Sequence, residues 1–179
     1  MAADSADRAF RAYGRLVRDW APKLDLIAPA DIDRFEERHI SDCLRAVPLL
    51  EGCPPGPIAD IGSGAGLPGV PLAIATGRYV RLVEPRKRRA AFLEECLRTL
   101  ELPGEVVVAT AQEAAAGPLY NGTHAAALAR ALAPPADALR LIRPFVAPGG
   151  VAAVWLGASA KIPDGAEEFT PGIAIVRAE

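Results

Sequence analysis

Residues Ala59 to Leu72 read A-D-I-G-S-G-A-G-L-P-G-V-P-L, so an acid at the end of an apolar run opens straight into a glycine-rich bend. Gly62, Gly64, Gly66 and Gly69 allow positive φ and let a ligand approach the main chain with no Cβ in between, and the helix start that follows offers unpaired N–H groups. A bend with these properties seats a nucleotide or nucleoside, with Asp60, Ser63 and Leu67 beside it. A plain strand-to-helix turn needs fewer glycines. The spacing Gly64-x-Gly66-x-x-Gly69 satisfies the dinucleotide pattern. Pro68 and Pro71, however, remove two backbone donors, which favours a ligand without a pyrophosphate. Asp60, just before the bend, is placed to hold its carboxylate over that ligand. Glu84 ends the next alternating stretch, Tyr79 to Val83, roughly 20 residues past the bend, where an acid takes both hydroxyls of a ribose. This supports an adenosine-type ligand and leaves NAD and S-adenosylmethionine both open.

These groups need a scaffold, and the chain supplies one. At 179 residues, 51% hydrophobic and 23% charged, it suits a single folded domain with a real core. Met1 to Arg8 carry charges and no apolar stretch, and no run of about 18 apolar residues appears, so a cytoplasmic protein without a membrane span is expected. Cys43, Cys53 and Cys96 form no C-x-x-C pair and do not combine with His39 or His124 in a ligand spacing, so neither a disulfide framework nor a metal site is expected. A net charge of −2 confines any nucleic-acid contact to a local patch. Two patches qualify: Arg86-Lys87-Arg88-Arg89, and Arg34, Arg38 and Arg45 at helical spacing.

Apolar periodicity predicts a helix from Ala6 to Trp20, ended by Pro22, and a second from about Asp31 to Leu50, with Asp31 as its N-cap. Five strands are expected at Ile58–Ile61, Tyr79–Val83, Glu105–Ala109, Ala125–Ala129 and Val151–Leu156. Helical segments from Val70, over Lys87–Leu100, near Gln112–Ala116 and over Ala136–Val146 separate them. Alternation of this kind requires crossovers and hence a parallel sheet covered on both faces. Pro148-Gly149-Gly150 reads as the turn into the fifth strand, and Ile173–Val176 as an antiparallel addition at the edge. The expected organisation is one domain over 1–179, with N-terminal helices in 1–50 and the ligand-binding core in 57–179.

The bend D-I-G-S-G-A-G-L-P-G-V-P-L-A-I, the segment R-H-I-S-D-C-L from Arg38, L-V-E-P-R-K-R-R-A-A-F-L from Leu82 and A-R-A from Ala129 together resemble the bacterial 16S ribosomal RNA guanine-N7 methyltransferases, the RsmG or GidB family. The resemblance implies an α/β, Rossmann-like class I methyltransferase fold that uses S-adenosyl-L-methionine on one guanine of 16S ribosomal RNA or the small ribosomal subunit, as a monomer. By the same resemblance Gly62 and Leu67 line the methionine and sugar of the cofactor, Glu84 takes the ribose, and Ala111 and Gln112 hold the adenine. Arg130 sits at the pocket mouth, and Arg38, His39, Lys87 and Arg88 face RNA. Four positions depart from the family pattern: Thr110 replaces an arginine, Gln112 a glutamate, His124 an aspartate and Leu156 a lysine.

Guanine N7 is an unprotonated lone pair, so methyl transfer to it needs alignment rather than a general base. Arg130 is the substrate-side residue, donating to guanine O6 or a flanking phosphate; an ion pair with Asp137 is its plain structural alternative. His39 on an amphipathic helix has a packing role as its alternative, and Tyr13 and Trp20 read as core before they read as a platform for a flipped base. Two other functions compete. A small NAD-dependent oxidoreductase needs a tyrosine or lysine placed for proton delivery, and Tyr120 is followed by the turn Asn121-Gly122 and offers no such partner. A relative that keeps the cofactor pocket but has an altered or lost RNA substrate is consistent with the departures.

Overall fold

The computed structural model describes residues 3–179; the first two residues of the charged N-terminal stretch lie outside it. Helix α1 (Ala3–Leu24) leads into a 3-10 turn (Pro29–Arg34), a π-turn (Glu36–Ile40), α2 (Ser41–Leu44) and α3 (Val47–Glu51). Then β1 (Ile58–Ile61), α4 (Gly69–Thr76), β2 (Val80–Val83), α5 (Lys87–Thr99), β3 (Gly104–Val107), α6 (Ala111–Ala115), β4 (His124–Arg130), α7 (Pro135–Ile142) and β5 (Val146–Trp155) alternate. A hairpin of β6 (Glu167–Thr170) and β7 (Ile173–Arg177) closes the chain.

The sheet order is β3-β2-β1-β4-β5-β7-β6. β1 to β5 run parallel, β7 adds antiparallel to β5, and β6 pairs antiparallel with β7. This is the Rossmann-like α/β arrangement expected from the alternation of strands and helices. Central β1 is buried along its whole length, as a parallel strand covered on both faces must be. Tyr13, Val17, Leu72, Phe92 and Leu93 from α1, α4 and α5 fill one face of the sheet. Ala114, Leu139, Ile142 and Phe145 fill the other. Tyr13 is fully buried, edge-on to Phe35 at 5.3 Å, and half-buried Trp20 leans on Phe92 at 5.8 Å; both belong to the core.

Four expectations need correction. Pro22 lies inside α1, because the ladder resumes beyond it with Asp25 N donating to Ala21 O at 3.0 Å. The single helix from Asp31 is instead broken into four short pieces; the π-turn inserts extra backbone and Pro48 starts α3 afresh. Asp31 caps nothing, its carboxylate being turned to Arg38 and His39. Pro148-Gly149-Gly150 is a bulge within β5: His124 pairs with Val146 but Ala126 with Val151, so the surplus residues loop out, with Gly149 at φ 75°.

The junction between the N-terminal helices and β1 is tied by one guanidinium. Arg78 Nη1 donates to Pro54 O (2.9 Å) and Gly56 O (3.2 Å), and Nη2 to Leu50 O (2.8 Å) and Cys53 O (3.2 Å).

Candidate functional site

Strand order reverses about β1, whose neighbours are β2 and β4, and a crevice opens beyond the carboxyl ends of strands that diverge in this way. The bend after β1 is folded back on the sheet: Gly62 N and Ser63 N both donate to Val83 O, at 2.8 and 3.1 Å. Ser63 Oγ donates to Asp60 O at 2.8 Å, and from below the Tyr13 hydroxyl donates to Ala65 O at 2.6 Å. Gly69, the first residue of α4, permits a close approach, since a Cβ there would meet Asp60 Cβ at 2.7 Å and Leu82 Cδ2 at 2.7 Å.

Asp60 is fully buried, and its side chain braces the bend from inside rather than reaching over a ligand. Oδ2 accepts from Gly69 N at 3.0 Å while Oδ1 has no hydrogen-bond partner. Burial pushes this carboxyl up to about 7 against the pull of the Gly69 N–H. The folded chain therefore keeps a proton that the unfolded chain releases near pH 4. The consequence for stability has a definite sign: it declines as pH rises through the window from about 4 to about 7 and levels above that. Thermal melts of the parent chain and Asp60→Asn across this window are expected to diverge with rising pH, the parent losing ground. A constant gap between the two melting curves would mean that Asp60 ionises as it does in water.

Over the strand ends lies a cavity of about 560 Å³. Of the residues expected at the site, the structure brings Gly62, Ser63, Gly64, Leu67, Arg130 and His39 to its wall. Gly66 is buried under the bend. Glu84, 4% exposed, lies behind it, with Oε2 accepting from Gly64 N and Oε1 from Arg86 N, each at 3.0 Å. Ala111, buried, and Gln112, exposed, open α6 outside the cavity wall. Tyr120 stacks under Arg81, whose Cζ lies 5.4 Å from its ring, and is not part of the wall either.

Arg130 ends β4 and points its guanidinium at the N-terminal segment. Nη2 lies 2.9 Å from His39 Nδ1, and Nε lies 3.3 Å from Asp42 Oδ2. The alternative pairing with Asp137 does not form, because Asp137 bonds Arg140 one helical turn away. A guanidinium only donates, so His39 accepts at Nδ1 and carries its proton on Nε2, which sits 3.3 Å from Asp31 Oδ2 without hydrogen-bond alignment. Burial, then the Arg130 charge, holds the His39 imidazole below its usual range, which keeps the acceptor available. The sequence reading missed Asp42 and Trp155, both in the wall. Asp42 lay within the R-H-I-S-D segment one helical turn after His39, and Trp155 at the carboxyl end of a predicted parallel strand; both positions were signals.

A second groove joins the end of α1 to the start of α5 and is lined by Lys23, Asp25, Arg86, Lys87, Arg88 and Arg89. Arg88 and Arg89 donate to the carbonyls of Lys23 (3.4 Å) and Asp25 (2.7 Å). Cations in the first turn of α5 oppose the helix dipole, an arrangement that costs stability. Arg34, Arg38 and Arg45 differ, being paired with Glu37, Asp31 and Asp42.

The departures separate by place. Thr110 caps α6 in a reciprocal capping box with Glu113. His124 is fully buried at the opposite end of β4 from Arg130, with Nδ1 3.0 Å from Phe145 O and Nε2 3.2 Å from Arg81 Nη1. Leu156 alone of the four lies in the cavity wall. Among the described residues no group of His, Cys, Asp and Glu is arranged to hold a metal ion, and no helix is long and apolar enough to cross a membrane.

Residues 6–168 match the family model described as GidB, rRNA small subunit methyltransferase G. The ribosomal RNA small subunit methyltransferase G of Granulibacter bethesdensis is 49% identical over 89 residues, covering 50% of this chain and 41% of that protein. Its counterpart from Rhodospirillum centenum is 39% identical over 142 residues, covering 78% and 62%. The chain thus spans less than two thirds of either relative's length. Among solved structures, a mutant of MtNAS in complex with S-adenosylmethionine has a TM-score of 0.62 at 16% identity, covering 96% of this chain and 73% of that one, a likeness of fold.

Proposed function

Since the chain belongs to the rRNA small subunit methyltransferase G family, we propose that it transfers a methyl group from S-adenosyl-L-methionine to N7 of a guanine in 16S ribosomal RNA. The observation that carries this reading is the cavity at the point of strand reversal, with glycine backbone on one side and the Arg130 guanidinium on the other. The residues fit the cofactor. Gly64, at φ 53°, is open toward the cavity, since a Cβ there would meet nothing closer than 3.8 Å. Glu84 uses one lone pair on Oε2 for the bend and one on Oε1 for Arg86 N, and a carboxylate offers about four acceptor sites, so capacity remains for a ribose.

In this reading Gly62, Ser63, Gly64 and Leu67 hold the methionine and sugar, while Asp60 and Gly66 support the bend from beneath. Ala111 and Gln112 border the adenine. The cofactor supplies an electrophilic methyl group, and the chain supplies alignment and exclusion of water. Arg130 orients guanine through O6 or a flanking phosphate. Lys87 and Arg88 take RNA phosphates; their position against the helix dipole supports this, because a cost in stability is retained where a charge has a use. His39 borders the mouth on the other side, and Arg38, exposed next to it in the chain, faces RNA. The chain acts as a cytoplasmic monomer.

The test is to incubate the chain with S-adenosyl-L-methionine labelled in the methyl group and either small ribosomal subunits or naked 16S RNA, then digest to nucleosides. Label in 7-methylguanosine is expected, and absence of label from both substrates overturns the assignment. A second reading, a relative with an altered RNA substrate, is favoured by Leu156, which puts an apolar side chain in the wall where the family resemblance has a lysine. Label appearing only in another RNA would select it.

A further inference from the structure

We propose that Asp42 is a positioning residue that sets the substrate-facing wall of the cavity by holding both Arg130 and Trp155. The inference rests on the reading of Arg130 as the substrate-side cation. Three contacts converge on this one residue. Its Oδ2 lies 3.3 Å from Arg130 Nε, its Oδ1 accepts from Arg45 Nη1 at 2.9 Å, and its backbone carbonyl accepts from Trp155 Nε1 at 3.3 Å. Arg45 also donates to Pro171 O, in the turn between β6 and β7, so the carboxylate is fixed from both sides.

The local fold makes this convergence possible. The π-turn continues into α2, so His39 and Asp42, three residues apart, share one helical face, and that face meets the end of β4. Arg130 is hydrogen-bonded at Nη2 to His39 and paired by charge at Nε, 3.3 Å from Asp42 Oδ2 without hydrogen-bond alignment, which leaves Nη1 outside both contacts among the described residues. Fixing two nitrogens of a planar fork fixes the direction of the third. Trp155 is 8% exposed with its indole N–H satisfied, so its ring keeps one orientation in the same wall. Asp42 and Arg130 side chains are 26% and 21% exposed, where solvent screening is incomplete.

Two measurements test the role. The first is an activity cycle with Asp42→Ala, Arg130→Ala and the double variant, reading kcat/KM for RNA alongside cofactor affinity. Asp42→Ala is expected to lower kcat/KM about 10-fold with cofactor affinity held, and to have little further effect when Arg130 is already alanine. Asp42→Asn, which keeps the size but removes the charge facing Nε, is expected to stay close to the Ala variant, while Asp42→Glu recovers part of the loss. Independent effects of the two substitutions, or an Asn variant as active as the parent, overturn the proposal. The second measurement is the Arg130 Nε–H signal in NMR, which needs neither cofactor nor RNA. Loss of the carboxylate frees the guanidinium, so this signal is expected to exchange faster in Asp42→Ala and in Asp42→Asn, and an unchanged signal in the Ala variant overturns the proposal. If the parent chain methylates no guanine, the proposed function falls while the NMR measurement still decides whether Asp42 positions Arg130.

Discussion

Gly62→Asp is expected to abolish binding of S-adenosyl-L-methionine while leaving the chain folded. Gly62 stands at φ 75°, in the left-handed region, where an L-residue costs about 1–2 kcal/mol and aspartate is among the better tolerated side chains. The backbone strain is therefore modest, and the available space decides the outcome. A Cβ added to Gly62 meets Leu132 Cδ1 at 2.6 Å, so the leucine tip must give way, and a carboxylate forced in at this point reshapes the stretch of wall that Gly62 helps form. Titration calorimetry should show affinity weakened at least about 100-fold, or about 2.7 kcal/mol. Circular dichroism melts should show a folded chain, and Gly62→Ala should be intermediate. Affinity for the cofactor preserved in the aspartate variant would remove the bend from the binding site.

Arg130→Ala should separate the two halves of the site. Its guanidinium contacts His39 and Asp42 but no atom of the glycine bend within hydrogen-bond range, so cofactor affinity is expected to remain within about threefold. Methyl transfer is expected to drop about 100-fold, the scale of a lost charge-assisted contact to a base or phosphate. Arg130→Lys should restore little, because one ammonium cannot hold His39 and Asp42 together and still face the cavity. Single-turnover rates at saturating cofactor measure this. An equal loss of affinity and rate would place Arg130 on the cofactor instead.

The parts legible in the sequence were those set by local composition. β1 begins and ends at the expected residues, and the bend that follows carries Gly62, Gly64 and Gly66 at positive φ, where other residue types are strained. α5 was legible from its apolar stripe. The segment from Pro29 to Glu51 was not, because its residues remain helical in dihedral angle while the hydrogen-bond ladder shifts from 3-10 to π to α, and apolar periodicity does not register that change. Asp60 illustrates a different limit. Its place before the bend was evident, but whether its carboxylate turns outward or inward depends on the Gly69 N–H offered beneath it, a contact made only once α4 has packed. Likewise Asp42 became the partner of Arg130, and Asp137 did not, because Arg140 lies one helical turn from Asp137 and takes it first.

The four carbonyls gathered by Arg78 have a mechanical meaning. They belong to Leu50 in the last turn of α3 and to Cys53, Pro54 and Gly56 in the connection to β1, and a connection with its peptide groups clamped to one rigid cation cannot serve as a swivel. The amino-terminal helices are thus welded to the sheet, and they deliver His39 and Asp42 to the mouth as a fixed jaw.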